Sequence, residues 1–208
     1  MIVERRIQDR RLRAECSSAN ATAAADVLGA FERLSGSGAA LRAGTQIRFG
    51  WSALRLVNDG DALRVSEPAF SRWPEQLWLA TIDVTVDILA AQTSLLRRLQ
   101  LDGDDAYFDQ QIVGARGALS KPNIFLRRGA AVSPEDSGWL LAAVDDPEAL
   151  SRDDLESVLI ASLVERRPAL LQALVLPAGF IAIFSGEVVE QILDSAGRSR
   201  LPSRESTP

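Results

Sequence analysis

Histidine is absent from this sequence of 208 residues, and cysteine occurs only once. The chain therefore lacks the commonest general base, the usual zinc ligand and any Ser-His-Asp triad. The single cysteine, Cys16, excludes an internal disulfide and a zinc site built from cysteines, and it fits a reducing compartment. We predict a cytoplasmic protein that is not an enzyme and that has no catalytic residue, cofactor or metal ion.

Long apolar runs and an excess of positive charge are also missing. No run approaches the roughly 18 apolar residues that a membrane-spanning helix needs, and the arginine-rich N-terminus lacks the apolar stretch of a signal peptide. A net charge of −5 and a pI near 4.9 disfavour binding to nucleic acid or to an anionic membrane, because both attract basic patches. We predict neither kind of partner, and a basic protein would suit this charge better.

The sequence does contain 47% hydrophobic residues, which is ample for a buried core, and their spacing divides the chain. Residues 1–20 are charged and then small and polar, with no sustained period, and predict a disordered arm. Apolar residues at helical spacing predict a helix over Ala21–Leu34 and a long helix over Leu77–Gln100. Asn58–Asp61 is a strong hairpin turn between two alternating strands.

Three features interrupt these patterns. The apolar alternation changes phase in residues 50–53, which predicts a β-bulge or a bend. Gln92 interrupts the apolar stripe of the long helix, and a buried glutamine needs hydrogen-bond partners. The acidic residues at 102–105 do not match the ligand spacing of an EF-hand, so they are interpreted as a loop that caps a following helix.

In residues 117–195 short strands and short helices are predicted to follow one another. The predicted strands are Asn123–Arg127, Trp139–Val144, Gly179–Phe184 and Val188–Leu193. The second of them is nearly all apolar and is expected to be central in its sheet. Ser151 and Asp154 form a capping box in front of a predicted helix from Leu155 to about Arg166, and Pro168 can open a shorter helix.

These elements predict an α/β fold of the α+β kind, in which a mostly antiparallel sheet is packed by one long helix and several shorter helices. We expect residues 21–116, with the N-terminal helix, the hairpin and the long helix, to pack with residues 117–195 as one unit. Residues 196–208 are polar and rich in proline and arginine, and they predict a disordered tail.

The most distinctive local pattern is Ser133–Trp139, a compact turn in front of an apolar strand. Pro134 restricts φ, and Gly138 allows a free φ immediately before the strand. Ser137 lies between an acid and a glycine, as some nucleophilic serines do, but the chain offers no histidine to activate it. We therefore interpret Ser137 as a turn residue.

Negative charge is concentrated around this turn. Between Gly129 and Val164 there are eight acidic residues against one basic residue, Arg152. If the turn, the loop after its strand and the next helix start share one edge, they form an acidic surface that would attract a basic protein. The predicted partner-binding residues are Glu135, Asp136, Trp139, Asp145, Asp146 and Asp153. Trp139 is open to two interpretations, as a core anchor or as part of the interface.

A family resemblance accompanies these patterns. The residues that carry it are Leu119-Ser120-Lys121, Arg127, Glu135-Asp136-Ser137-Gly138-Trp139, Pro168-Ala169-Leu170-Leu171 with Leu174, and Pro177-Ala178-Gly179-Phe180. In this order they resemble immunity protein family thirty-three of bacterial polymorphic-toxin systems. Further upstream, Phe49-Gly50-Trp51-Ser52 and Glu67-Pro68 are similar to the N-terminal extension of longer members. The resemblance implies an immunity-like α/β domain and no catalytic residues.

The resemblance and the acidic segment together predict an immunity-type protein that binds a cognate, basic toxin and occludes its active site in bacterial competition. Two alternatives belong to other classes. One is a small hydrolase that uses carboxylates around the aromatic loop in residues 70–78. Loss of activity in Asp136→Asn or Asp145→Asn would favour this alternative. The other is a structural or adaptor subunit that forms a homo-oligomer through the acidic edge.

Overall fold

The structure, a computed structural model, describes residues 1–145 and 152–201. The chain divides into a first unit, residues 1–91, and a second unit, residues 92–208. Each unit contains one six-stranded sheet, and the fold is α+β. The single sheet expected from the sequence is therefore replaced by two sheets, and the boundary between units lies upstream of the expected position at residues 116–117.

The first unit is built from a hairpin, a helix and a three-stranded meander. Its elements are β1 (Ile2–Ile7), β2 (Arg10–Glu15), α1 (Ala21–Gly36), β3 (Gln46–Phe49), β4 (Ser52–Asp59), β5 (Ala62–Pro68), β6 (Trp78–Leu79) and the start of α2 (Asp83–Leu99). The strand order is β1-β2-β5-β4-β3, with β6 paired to β5. Only β2 and β5 run parallel among these strand pairs. The helix predicted over Ala21–Leu34 is confirmed as α1.

The N-terminal residues form an ordered hairpin, so the expected disordered arm at residues 1–20 is wrong. β1 and β2 pair antiparallel along their full length, and Leu12 and Ala14 are completely buried. Leu12 and Ala14 are alternate residues of β2 that point into the core, whereas Arg11 and Arg13 lie on the opposite face. Only two buried apolar residues alternate with arginines in this strand, and two positions are too few to reveal a two-residue period in the sequence.

The phase change around Gly50 has a simple cause in the structure. β3 and β4 are separate antiparallel strands joined by a two-residue turn, with Phe49 opposite Ser52, so the predicted bulge or bend is wrong. Gly50 has a φ of +58°, which a glycine adopts at no steric cost. Trp51 stacks on Phe70 at 4.8 Å between ring centroids and is buried. The hairpin turn predicted at residues 58–61 is confirmed between β4 and β5.

The long helix begins at Asp83, six residues after the predicted start, because the chain first forms β6.

The buried carboxylate of Glu67 contacts the first turn of α2. Glu67 accepts hydrogen bonds from the backbone N–H groups of Val84 (3.3 Å) and Thr85 (2.7 Å), two of the donors that a helix start leaves unpaired. Burial raises the pKa of the Glu67 carboxyl to about 7, although these hydrogen bonds favour the charged form.

The second unit surrounds a mixed sheet. Its elements are β7 (Gln111–Ala115), β8 (Asn123–Arg128), β9 (Asp136–Ala143), β10 (Leu155–Leu159), α3 (Leu163–Arg166), a 3₁₀ helix (Pro168–Ala173), β11 (Ile181–Ser185) and β12 (Val188–Leu193). The strand order is β10-β7-β9-β8-β11-β12, in which only β7 and β9 run parallel. The prediction that the strand beginning near Trp139 is central is confirmed, because β9 lies between β7 and β8.

Two predictions in the second unit are wrong. The segment expected to form a helix from Leu155 to Arg166 is mostly strand β10, and its helical part is the four residues of α3. The residues after the acidic loop at 102–105 form β7 rather than a helix. Both strands are short, and periodicity over five residues does not separate a strand from a helical turn. Ser151 of the expected capping box lies outside the described residues.

The buried amide of Gln92 has a backbone partner on its nitrogen, whereas its Oε1 atom has no hydrogen-bond partner. Gln92, which interrupts the apolar stripe of α2, donates a hydrogen bond from Nε2 to Leu171 O at 2.9 Å. Residues 196–201 fold back onto β12, where Arg200 N donates to Ile192 O, so the predicted disordered tail does not begin at residue 196. Across the part of the chain that the structure describes, no helix has the length and apolar composition to cross a membrane.

Candidate partner-binding site

The Asp-Ser-Gly-Trp motif is the start of β9 and contains a bulge. Gln111 of β7 pairs with Asp136, but Val113 pairs with Leu140, so β9 carries two extra residues over the same length. The Ser137 hydroxyl donates a hydrogen bond of 2.6 Å to Gln111 O. This contact secures the bulge to β7, and it gives the serine a structural role.

Asp136 secures the loop in front of β9, residues 129–135, which we call the 129–135 loop. Its carboxylate accepts hydrogen bonds from the backbone N–H groups of Val132 (2.9 Å) and Gly138 (2.8 Å). Both carboxylate oxygens are therefore engaged within the turn. This arrangement gives no support to the hydrolase alternative at Asp136, and it assigns the residue to the shape of the loop.

Gly138 brings the two ends of the loop together. Its φ is +74°, and Gly129 N donates a hydrogen bond of 2.8 Å to Gly138 O. A Cβ atom added at Gly138 would lie 2.7 Å from Gly129 O and 3.1 Å from Ala131 N, both of which are backbone atoms. Only glycine satisfies this conformation and this close approach together.

Gly138→Ala is expected to be destabilising beyond the ordinary penalty for a positive φ. The matched control is Gly186→Ala, because Gly186 has a φ of +56° but no atom within 4 Å of an added Cβ. We expect the control to cost about 1–2 kcal/mol and Gly138→Ala to cost about 1–3 kcal/mol more, owing to the collision. Urea unfolding followed by circular dichroism measures both values. Equal losses would show that the backbone relaxes and that the close approach is not essential.

Trp139 lies in the core, with 1% of its surface exposed. Its indole N–H donates a hydrogen bond of 3.3 Å to Leu174 O, and the guanidinium of Arg128 lies 5.5 Å from the ring centroid. The structure therefore places Trp139 as a core anchor and gives no support to a direct contact of this side chain with a partner. The buried ring packs beneath the start of β9 and stabilises the turn in front of it.

A polar cleft of about 260 Å³ opens beside the 129–135 loop. Its lining comprises Asp104, Asp105, Gln110, Arg128, Gly129, Ala130, Ala131, Asp136, Ser137 and Ala178. Carboxylates thus outnumber cations in the lining by three to one. The cleft and the exposed loop form one continuous feature at the end of the sheet where β9 begins.

Arg128 lines this cleft and was not identified from the sequence. It is 7% exposed, and its guanidinium donates to the carbonyl oxygens of Leu174 and Leu176 at 3.0 Å each and to that of Asp104. Burial lowers its pKa, and the nearby Asp104 carboxylate opposes that shift. The sequence does contain a signal, because Arg128 shares the strand face of the buried residues Ile124 and Leu126.

The other predicted site residues separate into two groups. Glu135 is exposed beside the cleft, but Asp145 follows the far end of β9 and Asp153 precedes β10 at that same far end. The eight residues of β9 span roughly 25 Å, so the structure does not bring the acids onto one edge. Asp146 lies outside the described residues. The expectation of one continuous acidic surface is therefore wrong for the residues that the structure describes.

The net negative charge of the chain comes from the second unit. Residues 1–91 contain 11 basic and 11 acidic residues, whereas residues 92–208 contain 12 basic and 17 acidic residues, which accounts for the whole net charge of −5.

Among the described residues no group of three or more His, Cys, Asp or Glu side chains could hold a metal ion. The arrangement is that of an α+β domain with a rigid, projecting loop and an acidic cleft.

Residues 91–195 match the Imm33-like domain, a family model that covers half of the chain. The chain therefore belongs to the Imm33-like family, and the resemblance stated from the sequence is confirmed at family level. The matched residues coincide closely with the second unit, while the upstream residues 49–52 and 67–68 lie outside the match. Comparison with curated proteins gave no match, and neither did comparison with solved structures.

Proposed function

We propose that this protein binds a cognate bacterial toxin and neutralises it by occluding its active site. The observation that carries the proposal is membership of the Imm33-like family through residues 91–195, because the family name describes an immunity domain. The role would be one of binding, because the two reactive side chains of the motif are engaged by backbone atoms. Asp136 accepts hydrogen bonds within its own turn, and Ser137 donates one to Gln111 O of β7. Neutralisation would take place in the cytoplasm.

The charge of the second unit favours a basic toxin. An excess of five acidic residues in this unit would attract a positively charged protein over long distances and accelerate the first encounter. Among the predicted partner-binding acids, Glu135 is exposed beside the cleft and can act in this way. Trp139 would contribute indirectly, by supporting the loop that carries Glu135.

Co-expression provides the test of this function. The chain is expressed in bacteria together with the product of each toxin-like gene adjacent to its own, and growth is compared with cells that carry the toxin and an empty vector. We expect rescue of growth and recovery of a complex when one partner is purified, with affinity that falls as salt is raised from 50 to 500 mM. Absence of both rescue and complex for every adjacent toxin would refute the proposal.

A further inference from the structure

The 129–135 loop carries an apolar residue that the fold leaves in solvent. Val132 is 90% exposed, whereas the other exposed large hydrophobic residues of the described chain range from 37% to 58%. Ala130, Ala131 and Pro134 beside it are exposed as well. A single exposed valine needs no explanation, but a projecting run of apolar residues at the tip of one loop suggests a contact surface.

The loop is held in place by hydrogen bonds at both ends and in the middle. These bonds run from Val132 N to Asp136 Oδ2 (2.9 Å), from Asp136 N to Ser133 O (3.2 Å), from Gly129 N to Gly138 O (2.8 Å), from Gln110 Nε2 to Pro134 O (3.0 Å) and from Gln111 N to Glu135 O (2.8 Å). A loop that is already ordered loses little entropy when it binds, so its exposed side chains contribute more to affinity. The motif residues therefore hold an apolar tip ready for contact.

Negative charges surround this tip on the side of the cleft. Asp104 and Asp105 are exposed and line the cleft together with Ala130 and Ala131, and Glu135 is exposed at the end of the loop. The one cation of the cleft, Arg128, is buried and directed at backbone carbonyls and Asp104. The surface thus combines an apolar centre with an acidic rim, which is complementary to an apolar pocket bordered by basic side chains.

We propose that Val132, with the acidic rim formed by Asp104, Asp105 and Glu135, is the surface that docks onto the toxin. This inference rests on the proposed function and assigns it to one end of the second sheet. Val132 enters an apolar pocket of a basic toxin face, and the rim carboxylates pair with lysine or arginine side chains around that pocket. The acids at the far end of β9, Asp145 and Asp153, then lie outside the contact.

The far end of the same strand supplies matched controls. Val144 is 45% exposed immediately after β9 and is followed by the exposed Asp145, which reproduces an exposed valine near an exposed acid. Val132→Asp and Glu135→Arg therefore test the proposed surface, while Val144→Asp and Asp145→Arg make the same chemical changes elsewhere. All four positions are exposed, and thermal melting of each variant verifies that it folds.

Binding of each full-length variant to the product of the adjacent toxin-like gene is measured by calorimetry. We expect Val132→Asp and Glu135→Arg each to weaken binding at least tenfold, and Val144→Asp and Asp145→Arg to change it less than twofold. Wild-type affinity in both loop variants, or a larger loss in the far-end variants, would overturn the docking surface while leaving toxin binding intact. Failure of the wild-type chain to bind would instead overturn the proposed function, and the docking surface with it.

Discussion

Trp139→Ala is expected to lower the free energy of unfolding by about 3–5 kcal/mol, the range found when a buried aromatic residue is truncated. Trp139 is 1% exposed and contacts Arg128 through its ring and Leu174 through its N–H group. Alanine leaves a cavity beneath the motif and removes the support of β9 at its start. Urea unfolding followed by far-UV circular dichroism measures the loss.

Trp139→Phe serves as the control for this change. Phenylalanine keeps an aromatic ring in the core but cannot donate to Leu174 O, which still accepts a hydrogen bond from Arg128. We expect the free energy of unfolding to fall by about 1–2 kcal/mol, because only one hydrogen bond and part of the side-chain volume are lost. A nearly stable Trp139→Ala variant that nevertheless fails to bind the toxin would show instead that the tryptophan acts at the interface.

The stability of the wild-type chain should fall as pH rises from about 4.5 to about 7, because of Glu67. Burial raises the pKa of this carboxyl from 4.5 to about 7 in the folded state, so the folded chain holds a proton that the unfolded chain has lost. The stabilisation is fully present below pH 4.5 and is lost as pH rises through 7. At about 1.4 kcal/mol per pKa unit, the change amounts to about 3 kcal/mol.

Glu67→Gln isolates this effect, since an amide cannot titrate. The measured quantity is the difference in unfolding free energy between wild type and variant at pH 4.5, 5.5, 6.5 and 7.5. We expect the wild type to lose about 3 kcal/mol of unfolding free energy relative to the variant as pH rises across the series. Glu75→Gln, which removes an exposed carboxyl paired with Arg72, should produce no such shift. A constant difference for Glu67→Gln would mean that the buried carboxyl stays ionised.

The sequence was sufficient to predict the positions of strands where apolar runs are bounded by turn residues. β8, β11 and β12 lie where alternation and tight turns predicted strands, and the central position of β9 followed from its nearly continuous apolar residues. The motif turn was also predicted, since Pro134 and Gly138 have local conformational requirements that are independent of tertiary contacts. These features depend on neighbouring residues alone.

Features that depend on distant partners were not predicted. β10 exists because it pairs with β7, and neither strand is long enough to show its period in isolation. Arg128 shares a strand face with Ile124 and Leu126, but the three backbone carbonyls from other segments that accept its hydrogen bonds are not indicated by any local pattern. The separation of Glu135 from Asp145 likewise follows from the direction of β9, because residues at opposite ends of a strand cannot share an edge.

The bulge at the start of β9 lies between residues that fix the framework and residues that project from it. Ser137 and Trp139 are buried and Gly138 closes the turn, so substitutions there carry a cost in folding. Val132 and Glu135 project from that framework, and exchanges at such surface positions usually change stability by less than about 0.5 kcal/mol. Under the proposed docking surface, recognition can therefore change at Val132 and Glu135 without refolding the domain that presents them.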